Sequence, residues 1–149
     1  RSIRFLWIPE FSGTGPWVNA HQDLMEKTLC NINLDMVGHG TGLSVGGGLT
    51  YPQVYEHFEA ANDAYLHRPI RTSEARVSLG RPRSDSVIFQ RAGFRTMSFG
   101  TSGSVPGIST YYHDPRDTPD TLTPEIMEDV TKMIFVGITG LANDPALVF

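Results

Sequence analysis

Hydrophobic positions fall into short apolar runs separated by stretches in which they recur every three or four residues. Residues 3–9 (IRFLWIP) are an apolar run without helical spacing, closed by a glycine-rich turn, which predicts a strand buried on both faces. From Pro16 onward Trp17, Val18, His21, Leu24, Met25, Thr28 and Leu29 recur three and four apart, the signature of an amphipathic helix. Residues 31–37 (NINLDMV) read as the next strand. Residues 42–48 (GLSVGGG) are either a hairpin partner or a glycine loop, since the alternation is too short to decide. Thr50 has the chemistry of an N-cap, and the stripe Val54, Phe58, Ala61, Tyr65 predicts a helix running to about Leu66.

Farther along, residues 75–79 suggest a strand and residues 84–92 a short helix that Gly93 stops. A short strand follows at 95–100 (RTMSFG), then a long loop over 100–120. Thr123 and Pro124 suit the N-cap and first position of a last helix, with Ile126, Val130, Met133, Ile134, Gly137 and Leu141 as its apolar face. Strands alternating with helices predict a single α/β domain over residues 1–149, a three-layer α/β/α sandwich around a mostly parallel sheet.

Composition narrows the function. With 12 Lys and Arg against 16 Asp and Glu the formal charge is −4, and a 40% hydrophobic fraction suffices for a core, which excludes intrinsic disorder. No window approaches 18 apolar residues and no basic, then apolar, leader opens the chain, so neither a membrane span nor a signal peptide is expected. Seven of the basic residues lie between Arg68 and Arg95 and six of the acids between Asp114 and Asp129. A net acidic chain without aromatics among its arginines argues against nucleic acid as a partner. Cys30 is the single cysteine, so neither an intrachain disulfide nor a thiolate zinc knot is available. Because Arg1 leads almost at once into a strand-like run, the sequence reads as a piece of a longer chain.

Ligands of open α/β sheets bind beyond the carboxyl ends of the strands. Glu10 ends the first expected strand, Asp35 sits near the end of the second, and His113 lies in the loop after RTMSFG. Two carboxylates and an imidazole suit zinc, manganese or cobalt, whereas each residue alone equally suits a cap, a turn or a surface ion pair. A serine hydrolase is the alternative chemistry. Residues 42–46 match G-x-S-x-G around Ser44, and Asp85 and His113 follow in that fold's order. Its nucleophile elbow, however, needs a helix starting at the serine, and here Gly46, Gly47 and Gly48 intervene.

Three blocks, NLDMVG (33–38), SDSVIFQRAG (84–93) and YYHDPRDTPDTLTPE (111–125), resemble in order and spacing those of the zinc aminopeptidases of metallopeptidase family 28. RFLWIPEFSGT (4–14) resembles the family block that carries a pair of glutamates before a glycine. The resemblance implies a hydrolase-like zinc-peptidase fold and an exopeptidase that cleaves peptides with metal-activated water. It implies Asp35 and His113 as zinc ligands, Glu10 as general base or ligand, and Tyr112 as a residue facing the scissile carbonyl. One or two zinc ions belong to the complete enzyme. Asp85 resembles the aspartate that the family usually follows with His, although Ser86 stands there. Asp117 and Thr118 are expected to brace the His113 loop.

The pattern departs from the family in two places. Phe11 occupies the position of the second glutamate, and the upstream His-x-Asp block, which supplies a ligand and the bridging aspartate, is absent. His21-Gln22-Asp23 has the right letters, but within a helix residues i and i+2 do not face each other, and His21 reads as a packing residue. An N-terminal segment of the same domain is therefore an expected partner, alongside a peptide substrate. The piece alone is expected to bind zinc weakly, if at all, and an uncovered sheet flank predicts a homo-oligomer. A second alternative is an inactive or incomplete α/β module. The glutaminyl cyclases, single-zinc relatives in fold, usually carry Trp where Tyr112 stands, which favours a peptidase.

Overall fold

The computed structural model describes residues 1–75, 84–103 and 111–147. Four strands form one sheet in the order β1 (Asn31–Leu34), β4 (Thr96–Ser102), β2 (Gly42–Gly46), β3 (Ile70–Ser73). β1 runs parallel to β4 and β2 parallel to β3, while β2 and β4 are antiparallel. The mostly parallel sheet is thus a mixed one, parallel in two of its three pairings. The glycine-flanked GLSVG run is a strand, and its neighbours are β4 and β3 rather than β1. Parallel pairing of β2 with β3 requires a crossover, which α2 (Pro52–Tyr65) supplies.

Helices cover both faces. On one side α2 packs against α4 (Pro124–Asn143) and both against the sheet, in a core that includes Phe58, Ile126, Met133, Leu43, Val45, Met97 and Phe99. The alternation Leu43, Val45 on β2 and Met97, Phe99 on β4 gives that face its side chains. On the other side α1 (Thr14–Ala20) and α3 (Asp85–Arg91) close a smaller cluster of Val18, Phe89 and Phe94. Three layers result. No helix among the described residues is long and apolar enough to cross a membrane.

Several local expectations need correction. Residues 3–9 form no strand: Phe5 and Trp7 are 75% and 93% exposed, and only Leu6 leans on the Val18 cluster. An apolar run fixes what wants burial, but a strand also needs a neighbour's ladder, and among the described residues no strand pairs with this run. The helix expected from Pro16 starts at Thr14, breaks at His21 and continues as a 3₁₀ turn over Gln22–Lys27. His21 packs as expected, stacked 4.4 Å from the Trp17 ring with its Nδ1 2.7 Å from the Trp17 carbonyl. Thr50 does not cap α2, whose N-cap is Tyr51; its hydroxyl accepts the Ala75 amide instead. β3 was not expected from the sequence, and the strand expected over 75–79 lies, past Ala75, outside the described residues.

Candidate active site

Asp35 is placed by the ladder between β1 and β4. Pairing runs from Asn31 with Thr96 to Leu34 with Phe99, and the Asp35 amide extends it by donating to the Phe99 carbonyl at 3.0 Å. Asp35 therefore leaves the sheet at the carboxyl end of β1. Met36 then turns with φ 56°, and its carbonyl accepts from both the amide and the hydroxyl of Thr101, at 3.1 and 2.8 Å. Glycine at position 100 relieves a tight approach, since a Cβ there would lie 3.0 Å from the Asp35 carbonyl oxygen.

β1 and β4 are parallel, so the segment that follows β4 starts from the same edge. Its described part, residues 111–123, holds Tyr112 and His113. His113 has φ 58°, closed by an Asp114 amide bond to the Tyr111 carbonyl at 2.9 Å. The Tyr112 ring stacks on its imidazole at 4.0 Å, and Tyr112 is itself 62% exposed. Arg116 forks onto Asp114, with Nε to Oδ1 and Nη2 to Oδ2 both at 2.9 Å, and its guanidinium lies 5.0 Å over the Tyr111 ring. That fork holds the Asp114 carboxyl below the usual carboxylate range. Asp117 and Thr118 do brace the loop, through Thr121 and Asp120 rather than through the imidazole. The loop ends where the Thr123 amide donates to the Gly38 carbonyl at 2.8 Å, three residues past Asp35.

Glu10 lies in the turn that starts α1. Gly13 donates to the Pro9 carbonyl, and a Cβ at Gly13 would meet Pro9 Cδ at 2.7 Å, so the glycine expected to close this run is sterically required. Phe11 takes φ 54° and donates its amide to Asp85 Oδ1 at 2.9 Å. The buried Thr14 hydroxyl donates to the same oxygen at 2.7 Å. Next to Asp85, Ser84 accepts from the Asn33 side chain at 3.1 Å. Three segments are thereby fastened about the end of β1: the Glu10 turn through Asp85 and Ser84 to Asn33, the Asp35 backbone through β4, and the His113 loop through Gly38. Asp85, which the sequence marked by resemblance as a family position, here ties the Glu10 turn to the start of α3.

The donor chemistry of Glu10, Asp35 and His113 is right for zinc, but the number gathered is not. Among the described residues, no group of three or more His, Cys, Asp or Glu is arranged to hold a metal ion. These residues by themselves do not make a zinc centre. Ser44, the alternative nucleophile, lies within β2 opposite Arg71 and Gly100, and α2 begins only at Pro52. A strand interior has no nucleophile elbow, so the serine reading lacks its required geometry.

An open α/β/α sandwich of this kind, with Asp35 leaving the carboxyl end of β1, is a hydrolase-type architecture. The model of Peptidase family M28 matches residues 9–137, and the chain belongs to that family. Among solved structures it is similar to a zinc aminopeptidase from Bacillus subtilis, with 24% identity and a TM-score of 0.67 over 89% of this chain and 33% of that one. It is similar also to an aminopeptidase from Aneurinibacillus sp. strain AM-1 (22% identity, TM-score 0.67, 92% and 32% covered) and to the LapA aminopeptidase of Legionella pneumophila (19%, 0.67, 89% and 36%). The chain spans about a third of the length of the structures it matches. Comparison by sequence with curated proteins gives no match.

Proposed function

We propose that this chain forms part of the catalytic domain of a zinc-dependent exopeptidase of the aminopeptidase type. Asp35 and His113 are metal ligands, Glu10 is the general base or a further ligand, and Tyr112 donates its phenolic O–H toward the carbonyl oxygen of a bound peptide. What supports this reading is the fastening of the Glu10, Asp35 and His113 segments about one sheet edge, inside a stretch matched to the peptidase family over residues 9–137. Zinc, where bound, lowers the pKa of water and polarises a carbonyl. In the complete enzyme the Glu10 carboxylate, acting as base, would accept the proton of the attacking water and return it to the leaving amine. A preorganised hydroxyl such as that of Tyr112 is a contact often worth about 3 kcal/mol in the transition state.

One observation favours a second reading, an incomplete module: the described residues gather no three-ligand group. The two readings separate in one experiment, calorimetric zinc titration and an aminoacyl-nitroanilide assay on residues 1–149 and on a longer parent containing them. The expected result is weak zinc binding and little turnover by the piece, with tight binding and turnover by the parent that His113→Ala abolishes while the fold persists. Zinc retention and normal turnover in that variant overturn the role of His113. A parent that binds no zinc overturns the peptidase reading in favour of the module.

A further inference from the structure

Among the described residues, four that are not glycine take a left-handed backbone: Phe11 at φ 54°, Met36 at 56°, His67 at 54° and His113 at 58°. Side chains of this size are strained there, and the conformation persists only where the surroundings over-determine it. His67 follows the end of α2, where chains commonly turn this way. The other three are His113 itself and the residues directly after Glu10 and Asp35. Their fastenings differ. His113 is closed by a bond within its own turn, and Met36 would keep the Thr101 amide if the Thr101 hydroxyl were removed. The Phe11 amide is held by a side chain 74 residues away, at Asp85 Oδ1.

That bond bears on Glu10. The carbonyl of Pro9, just before it, accepts from Gly13 at 2.9 Å, and its own carbonyl accepts from Ser12 at 2.5 Å. With the Phe11 amide on Asp85, the peptide groups on both sides of Glu10 are fixed, while Glu10 itself is exposed. Asp85 is anchored in turn. It opens α3, its Oδ1 accepts the buried Thr14 hydroxyl as well, and Ser84 before it is bonded to Asn33 of β1. A run of bonds therefore leads from the sheet through the start of α3 to the strained residue beside Glu10.

We propose that Asp85 is a positioning residue: it holds the strained Phe11 backbone and through it sets the orientation of the Glu10 carboxylate. The proposal rests on the role given to Glu10 in the proposed function and adds the residue through which that role is exerted. In the zinc-loaded longer parent, Asp85→Ala is expected to lower kcat about tenfold or more, with KM changed less than about twofold. Asp85→Asn, which keeps the acceptor oxygen, should stay within about threefold of the parent. Asp85→Glu keeps the charge but carries the acceptor one methylene farther, so it should also lose kcat, and it decides the matter should Asp85→Ala not fold. In a Glu10→Gln background Asp85→Ala should lower kcat no further, because residues that act as a unit are not additive. In the zinc-free parent, amide exchange at Phe11 should quicken about tenfold or more in Asp85→Ala. Asn62→Ala is the control. Asn62 fastens the remaining left-handed turn, bonding the amide and the carbonyl of Arg68 beside His67, ahead of β3, the strand farthest from β1. Its loss should destabilise the fold and leave kcat unchanged. Parent-level kcat in Asp85→Ala and Asp85→Glu, unchanged exchange at Phe11, an equal kcat loss in Asn62→Ala, or a full effect of Asp85→Ala on top of Glu10→Gln overturns this proposal alone. Parent-level turnover by Glu10→Gln overturns the role of Glu10 and this proposal with it.

Discussion

Gly137→Ala tests how α4 is seated. Alanine is favoured over glycine in a helix interior by about 1 kcal/mol, so on propensity alone the change should stabilise. Packing opposes it. A Cβ at position 137 would lie 2.3 Å from Phe58 Cδ1, 2.7 Å from Cε1 and 2.9 Å from Cγ, well inside the ~3.5 Å of a carbon–carbon contact. Phe58 is fully buried and tilted against Phe99 at 4.7 Å between ring centroids, so its ring has no open direction in which to retreat. Overpacking of this kind costs typically about 1–3 kcal/mol, and a contact this short against a locked ring belongs at the upper end. The net expectation is a loss of about 2 kcal/mol in urea unfolding. Gly140→Ala is the internal control. Its Cβ would meet only the His57 ring, nearest at Nδ1 at 3.1 Å, a part-exposed side chain that can give by the few tenths of an ångström needed, so propensity should prevail and stability should hold or rise. Phe58→Leu in the Gly137→Ala background should recover part of the loss, because residues in contact couple. A Gly137→Ala protein as stable as the parent would refute the claim that this close approach of α2 and α4 is what the glycine serves.

Asp85→Ala should cost about 2–3 kcal/mol by removing the acceptor of Phe11 and leaving the buried Thr14 hydroxyl unpaired, whereas Asp85→Asn keeps an acceptor oxygen and should lose less; hydrogen exchange at the Phe11 amide reports the difference. Burial pushes the Cys30 thiol up to about 12, opposed by the Met97 backbone and by Arg95, so alkylation at pH 8 should be slow in the folded protein and fast in urea. A folded-state pKa raised above that of the unfolded chain means that stability is full below about pH 9 and is lost as pH climbs toward 12, because the unfolded thiol releases its proton first. Cys30→Ala should flatten that decline at its lower end and, because burial and then Glu59 push the Tyr55 hydroxyl up to about 12, Tyr55→Phe at its upper end, as read from urea midpoints between pH 8 and about pH 11.

Periodicity announced the elements whose partners lie close in the chain or on one continuous face. The 3.6-residue stripes of α2 and α4 are buried faces, except that Tyr65 at the end of the α2 stripe is exposed, and the short β-rich runs at 31–34 and 96–102 are strands. Sequence failed where a partner decides. The IRFLWIP run has as much strand character as NINL, but NINL finds the ladder of β4 and IRFLWIP finds none. Thr50 has a cap's chemistry, yet the Ala75 amide claims its hydroxyl; neither partner is written in the local pattern.

The candidate site divides along the same line. One position was legible, because a residue that ends a strand of a parallel pair emerges at that pair's shared edge, as Asp35 does after β1. The fastenings were not. Asp85 is separated from Phe11 by 74 residues and Ser84 from Asn33 by 51, and a hydrogen bond between such positions leaves no mark in composition or period. Those bonds determine how far the Glu10 turn stands from the end of β1. Metal coordination tolerates errors of only a few tenths of an ångström, so a ligand set is decided by contacts of this long-range kind. Recognising the residue types at strand ends therefore nominates ligands without establishing that they close on a metal, which is the distinction that zinc titration of the piece and the parent draws.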